Sequence, residues 1–131
     1  MLSRYTIYRR RPKDAGPLPN GIRQDTRYRS NHVLRPTKEI VDTYLSNPTD
    51  AAWRQFKKDY LTLLQKRFRE DREPFDELAE LAAENDVYLG CNCPTKKNPV
   101  PGRCHTYAAL EFMNKKYQNL DVVIPDTDSK H

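Results

Sequence analysis

Three cysteines and one histidine stand close together in the last third of the chain, as Cys91-x-Cys93 followed by Cys104-His105. Thiolate sulfur and imidazole nitrogen are ligands that zinc prefers, so these four residues make a candidate Cys3His site. One residue between the first two cysteines is fewer than zinc sites usually have, and two adjacent residues do not easily turn toward one ion. A zinc ion is therefore the first of three hypotheses for this cluster.

A reactive thiol at Cys104 is the second hypothesis. If a helix begins near Cys104, its partial positive charge acts together with Arg103 and His105 to favour the thiolate. Cys104 would then be a catalytic nucleophile or a redox thiol, with His105 as its base or orienting group.

The third hypothesis gives the cysteines no chemical role. Free cysteine is among the most often buried residue types, and these three could pack as small apolar side chains beside a tight loop. Three cysteines confined to residues 91–104 make no disulfide framework, which indicates a reducing compartment. We therefore expect the protein in the cytoplasm.

Basic residues accompany the cluster. The connecting loop carries lysines and an arginine, and the start of a helix presents free backbone N–H groups that suit an anion. Arginine in particular matches phosphate oxygens in pairs. If the first strand runs parallel to the others, its basic end reaches the same edge. We predict an anion site formed by Arg9, Arg10, Arg11, Arg27, Lys96, Lys97 and Arg103.

Charge is concentrated at one end of this chain of 131 residues, which has a net charge of +5. Residues 1–35 hold nine Lys or Arg residues and two Asp residues, whereas the remainder is slightly acidic. An isolated basic segment indicates a polyanionic partner, so we expect a nucleotide or a nucleic acid. Neither an apolar run long enough for a membrane helix nor the apolar core of a signal peptide is seen.

The elements that must position these residues follow from hydrophobic spacing. Short apolar or β-branched runs predict strands at 4–9, within 22–29, at 87–91 and at 120–124. Apolar stripes of helical period predict helices from Pro36, from Thr49 or Asp50, from near Pro74, and from Arg103 or Cys104 to Tyr117. In the second helix Trp53, Phe56 and Tyr60 could stack nucleic-acid bases, but their helical spacing favours core packing.

Strand, helix and strand in the C-terminal half predict a parallel βαβ unit. The whole chain is then an α/β protein, a small layered fold with a short, mostly parallel sheet flanked by helices. We expect a single domain over residues 1–125, with a basic segment at 1–35 and a disordered tail at 126–131. Cys91 and Cys93 would lie at the carboxyl end of a strand and Cys104 at the start of a helix, in the crevice where such sheets bind ligands.

The order of several motifs resembles the family catalogued as domain of unknown function 488. The residues are Trp53-x-x-Phe56-x-x-x-Tyr60, Leu78-x-x-Leu81-Ala82, Val87-Tyr88-Leu89-Gly90-Cys91 and Arg103-Cys104-His105. The resemblance covers residues 53–110. Thr106 stands where members often carry arginine, and Asp25-Thr26-Arg27 echoes an Asp-x-Arg element that ends an early strand. The resemblance implies a compact α/β domain in which the Cys-His helix start lies beside the cysteine-bearing strand. It implies no established activity.

Overall fold

A sheet of three parallel strands lies at the centre of the protein, for which we have a computed structural model that describes residues 1–126. The strands are β1 (Leu2–Thr6), β2 (Ile22–Asp25) and β3 (Val87–Cys91). Their order is β1-β3-β2, so the strand that carries Cys91 is in the middle. Leu2 and Ile22 both pair with Val87, which brings the carboxyl ends of all three strands to one edge.

Four α-helices surround the sheet, and the predicted fold class is confirmed. They are α1 (Lys38–Ser46), α2 (Asp50–Glu70), α3 (Glu73–Glu84) and α4 (His105–Lys116), and a 3-10 turn at Lys13–Ala15 lies in the first long loop. Thr37 and Thr49 cap α1 and α2, because each hydroxyl accepts a hydrogen bond from the backbone N–H three residues later. The predicted helix starts are therefore correct to within a few residues.

The core lies between the sheet and the apolar faces of α2, α3 and α4. Its fully buried side chains include Leu2, Tyr60, Leu64, Phe75 and Leu110. Burying a side chain of this kind contributes about 1.5–3 kcal/mol. The hydroxyl of Tyr60 donates to the backbone carbonyl of Leu34 at 2.6 Å, which fixes the loop after β2 against α2.

The strand ends differ from the prediction. The first strand starts at Leu2 rather than residue 4 and stops at Thr6, because its partner β3 ends at Cys91. The last predicted strand, at 120–124, reduces to one parallel bridge between Val122 and Leu2, so this segment lies beside β1 and not β3. Asp126 is described, whereas the rest of the predicted tail lies outside the described residues. The single-domain assignment stays a prediction.

No helix within residues 1–126 is long and apolar enough to cross a membrane.

Candidate functional site

A cavity of about 460 Å³ opens at the carboxyl ends of β2 and β3. Five parts of the chain line it: the loop after β2, α1, the start of α2, the loop after β3 and the start of α4. These are the elements expected to form a ligand crevice in an open parallel sheet. Cys91, Cys93, Cys104 and His105 all line this cavity, so the predicted cluster lies on its wall.

The three thiols converge. The Sγ atoms of Cys91, Cys93 and Cys104 lie within 4.8 Å of one another, and those of Cys91 and Cys93 are 3.9 Å apart. Cys91 ends β3, and Cys104 occupies the position before the first residue of α4. Such a group could hold a metal ion. Cys104 therefore lies at a helix start, as the sequence predicts.

Two polar side chains donate hydrogen bonds to the sulfur atoms. Thr106 Oγ1 donates to Cys104 Sγ at 3.3 Å and in turn accepts from Arg4 Nε at 2.8 Å. Asn98 Nδ2 lies 3.5 Å from Cys93 Sγ, while its Oδ1 accepts from the Tyr44 hydroxyl at 2.7 Å. The Asn98 contacts join the loop after β3 to α1, and the Thr106 contacts join α4 to β1, so the cluster is held from several sides.

The three cysteines of the cluster differ in pKa. Burial raises the pKa of Cys104, but hydrogen bonds from Cys91 and Cys93 and the nearby His105 outweigh it and hold that pKa well below its usual value. The hydrogen bond to Cys104 raises the pKa of Cys91 well above the ordinary range and that of Cys93 to about 11. Cys104 is therefore the thiol of the cluster that ionises most readily, because its pKa is the lowest of the three.

His105 is buried and faces Cys104, with its Nδ1 3.8 Å from Cys104 Sγ. Its Nε2 lies 2.8 Å from the hydroxyl of Thr26, which donates its proton to the carbonyl of Gly90 at 3.0 Å. Because that proton is used, the Thr26 oxygen accepts from Nε2–H. When the imidazole is neutral, Nδ1 therefore carries the lone pair, on the side of the Cys104 thiol.

Of the predicted anion-binding residues, Arg27, Lys96, Lys97 and Arg103 line the cavity, and the structure adds Arg29. Arg27 is held by Asp25 through two hydrogen bonds of 3.0 and 2.9 Å, and this contact lowers the pKa of that carboxyl. Arg103 forms an ion pair with Asp50.

The structure does not bring Arg9, Arg10 and Arg11 into the cavity. Arg11 donates to backbone carbonyls of its own loop, at 2.8 Å to Gly16 and 3.4 Å to Thr6. Arg9 and Arg10 are exposed beyond the end of β1. β1 runs parallel to β3, as the prediction required. Arg9, Arg10 and Arg11 nevertheless lie outside the cavity lining, so they do not reach the thiols.

Several residues that line the cavity, or that contact its lining as Thr26 does through His105, are absent from the predicted site. Thr26 and Asn98 are almost fully buried polar residues in loops, and no spacing pattern marks them. Tyr44 and Trp53 also line the cavity. Their helical spacing indicates only that they share faces with core residues, and Trp53 in fact both packs on the core and borders the cavity.

The chain matches one family among known protein families. Residues 4–117 match a family model, DUF488-N3a, described as the active DUF488-N3 subclade. The match includes the last three residues of β1 and all of β2, which the resemblance noted above did not cover, and every residue that lines the cavity. No curated protein and no solved structure matches the chain significantly.

Proposed function

The chain belongs to the DUF488-N3a family, whose function is unknown, and we propose that it binds a phosphate-bearing anion, a nucleotide or a nucleic acid, in the cavity beside the cysteines. One observation carries the proposal: five cationic side chains, from the loop after β2 and the loop after β3, line a single cavity. They are Arg27, Arg29, Lys96, Lys97 and Arg103. The carboxylate that also lines it, Asp42, is paired with Lys38 outside the cavity lining.

Three of these cations are available to a ligand. Among the described residues, Arg29, Lys96 and Lys97 form no ion pair, whereas Arg27 and Arg103 are paired with aspartates. No side chain caps the N-terminus of α4, so the partial positive charge of this helix start also favours an anion. Fixed cations and a helix start together favour phosphate over a neutral ligand.

The size of the cavity favours a nucleotide. At about 460 Å³ it falls within the range of pockets that bury small molecules and cofactors. A nucleic acid would instead have to insert one unpaired nucleotide while the surrounding surface binds its backbone.

Fluorescence polarisation with labelled mononucleotides and with single- and double-stranded DNA and RNA, at two salt concentrations, tests the proposal. We expect binding of at least one probe, weaker at the higher salt concentration because charge neutralisation contributes to it. Absence of binding to every probe would refute the proposal.

A second candidate function is an enzyme in which Cys104 is the nucleophile or redox thiol and His105 its base. The arrangement of Cys104, the lone pair of His105 and the Thr26 hydroxyl supports it, since a nucleophile, a base and an orienting group follow in sequence. This candidate requires that Cys104 is accessible from the cavity.

Alkylation at neutral pH, with mass spectrometry of each cysteine, tests the second candidate. Cys104 should react before Cys93, although Cys93 is the more exposed. A bound ligand should slow that reaction. An unreactive Cys104, or full function in the Cys104→Ser variant, would exclude this enzyme.

The third candidate is a zinc-stabilised interaction module. Sulfurs on a tetrahedron around zinc are about 3.8 Å apart, and the Cys91–Cys93 separation of 3.9 Å fits that spacing. Among the described residues, the group of close ligand atoms contains the three cysteines and not the predicted His105, so a bound ligand would have to take the fourth position. Metal analysis should find about one zinc ion per chain, and a chelator should lower the melting temperature. Folded protein free of metal would exclude this module.

A further inference from the structure

Aromatic side chains form the wall of the cavity next to α1 and α2. Tyr28 follows β2, Tyr44 lies in α1, and Trp53 and Phe56 lie in the first turns of α2. The rings of Trp53 and Phe56 are stacked, with centroids 5.1 Å apart and planes 18° apart. Tyr44 packs against both, at 5.7 Å from Trp53 and 5.6 Å from Phe56. Trp53, Phe56 and Tyr44 therefore form one aromatic cluster, whereas Tyr28 lies elsewhere in the lining with the guanidinium of Arg29 over its ring, 5.7 Å from the centroid.

The rings of this wall differ in exposure. Phe56 and Tyr44 are 6% and 4% exposed and belong to the core. Trp53 and Tyr28 are only partly buried, although both line the cavity. These two rings therefore offer π surface to a ligand, while Phe56 supports the indole from behind. Val41 and Leu45 extend the same apolar side.

The cations come from two loops of the cavity lining. Arg27 and Arg29 flank Tyr28 in the loop after β2, whereas Lys96, Lys97 and Arg103 come from the loop after β3. The cavity thus combines aromatic rings with cationic side chains. Inorganic phosphate or a sugar phosphate would use only the cations, and a paired duplex keeps the faces of its bases covered.

We infer that the occupant is a mononucleotide whose base stacks on Trp53 and Tyr28 while its phosphate is bound by the cations; this inference rests on the proposed function. Base–aromatic stacking is sequence-tolerant, so the wall selects for a base without selecting strongly among bases. The magnitude typical of one stacked base corresponds to an affinity gain of about tenfold or more.

Trp53 is the single tryptophan of the chain, so its fluorescence reports directly on this wall. The experiment titrates the protein with inorganic phosphate, ribose 5-phosphate and nucleoside monophosphates, and follows binding by calorimetry and by Trp53 emission. We expect nucleoside monophosphates to bind about tenfold more tightly than ribose 5-phosphate and to change the emission of Trp53.

The experiment distinguishes failure of the stacking inference from failure of the proposed function. Equal affinity for ribose 5-phosphate and nucleoside monophosphates would overturn the stacking inference and leave the proposed function standing. Binding only of oligonucleotides would overturn the mononucleotide as occupant. No binding of any phosphate-bearing probe would overturn both.

Two variants and one control test whether Tyr28 and Trp53 bind the base. Tyr28→Ala removes a ring that lies in a loop outside the core, and Trp53→Leu removes the indole. Each should weaken nucleotide binding about tenfold and leave ribose 5-phosphate binding unchanged. Tyr8→Ala removes a 40% exposed ring outside the cavity lining and should change neither. Wild-type nucleotide affinity in the Tyr28→Ala variant would contradict the inference even if Trp53→Leu fails to fold.

Discussion

The hydroxyl of Thr26 lies 2.8 Å from Nε2 of His105 and joins the end of β2 to the first residue of α4. Both side chains are buried, and the same hydroxyl donates to the carbonyl of Gly90 in the central strand. One threonine thus connects two strands and a helix at the wall of the cavity. It also sets which nitrogen of His105 faces Cys104.

Replacing Thr26 by valine keeps the shape of the side chain and removes the hydroxyl. His105 Nε2 then loses its buried partner, so we expect a loss of about 1–3 kcal/mol in the free energy of unfolding. Urea denaturation measures this loss. Thr26→Ser retains the hydroxyl and is the matched control, expected to lie closer to wild type. Equal stability of the valine variant and wild type would contradict the account of this contact.

Acid should destabilise the protein through His32. Burial, with smaller contributions from His105 and Arg35, lowers the pKa of His32 to about 4 despite the nearby Asp25. The unfolded chain takes up this proton near its ordinary pKa of about 6.5, so the folded state is favoured above that pH. Stability should then fall as the pH drops from 6.5 toward 4, by up to about 1.4 kcal/mol per pH unit.

Denaturation between pH 7 and 5 measures the His32 effect. The ring of His32 accepts from Leu34 N–H through Nδ1 at 3.1 Å, and the amide oxygen of asparagine can take over that role. His32→Asn should therefore flatten the pH dependence in this window. If the variant keeps the wild-type slope, another group is responsible.

Gly90 occupies a position in β3 where a methyl group does not fit. A Cβ there would lie 2.8 Å from both Ile7 Cδ1 and Tyr5 Cε1. Gly90→Ala should therefore cost about 1–3 kcal/mol of stability, measured by thermal unfolding. Adding Ile7→Val removes one of the two clashing atoms and should restore part of the loss. No rescue in the double variant would show that the cost has another origin.

Asn98 should determine the order of the loop that carries Lys96 and Lys97. Its side chain bonds the Tyr44 hydroxyl, Cys93 Sγ and the carbonyl of Arg103, and it is 2% exposed. Asn98→Ala removes all three contacts, so trypsin should cleave after the two lysines faster than in wild type. Asn114→Ala, at an exposed position of α4, is the control. Unchanged cleavage in Asn98→Ala would contradict this role.

Much of the fold can be predicted from the sequence because the helices have strong local signals. The spacing of Trp53, Phe56 and Tyr60 indicates α2, and Thr49 marks its start. Strand ends are less predictable, since they depend on where the partner strand stops. Ile7 has the residue type of a strand, yet β3 ends too early to extend β1 over it.

The candidate site can be predicted from the sequence only where its residues lie on predicted strands and helices. Cys91 and Cys104 are placed by a strand and a helix that the sequence indicates, so their convergence follows from the fold. Thr26 and Asn98 come from loops, where burial depends on tertiary contacts. Arg11 is a different case, because its charge predicts an anion site whereas its guanidinium donates a hydrogen bond to the backbone of its own loop.

The central claim is that a phosphate-bearing ligand binds at the cations of this cavity. Its most direct test compares the affinity of a labelled mononucleotide for wild type, Lys96→Ala/Lys97→Ala and Lys58→Ala/Lys115→Ala. Both pairs of lysines are exposed and remove the same charge, but only the first pair lines the cavity. We predict that the cavity variant loses about tenfold or more in affinity and depends less on salt, while the control variant retains both. Equal losses in the two variants, or none in either, would contradict the claim.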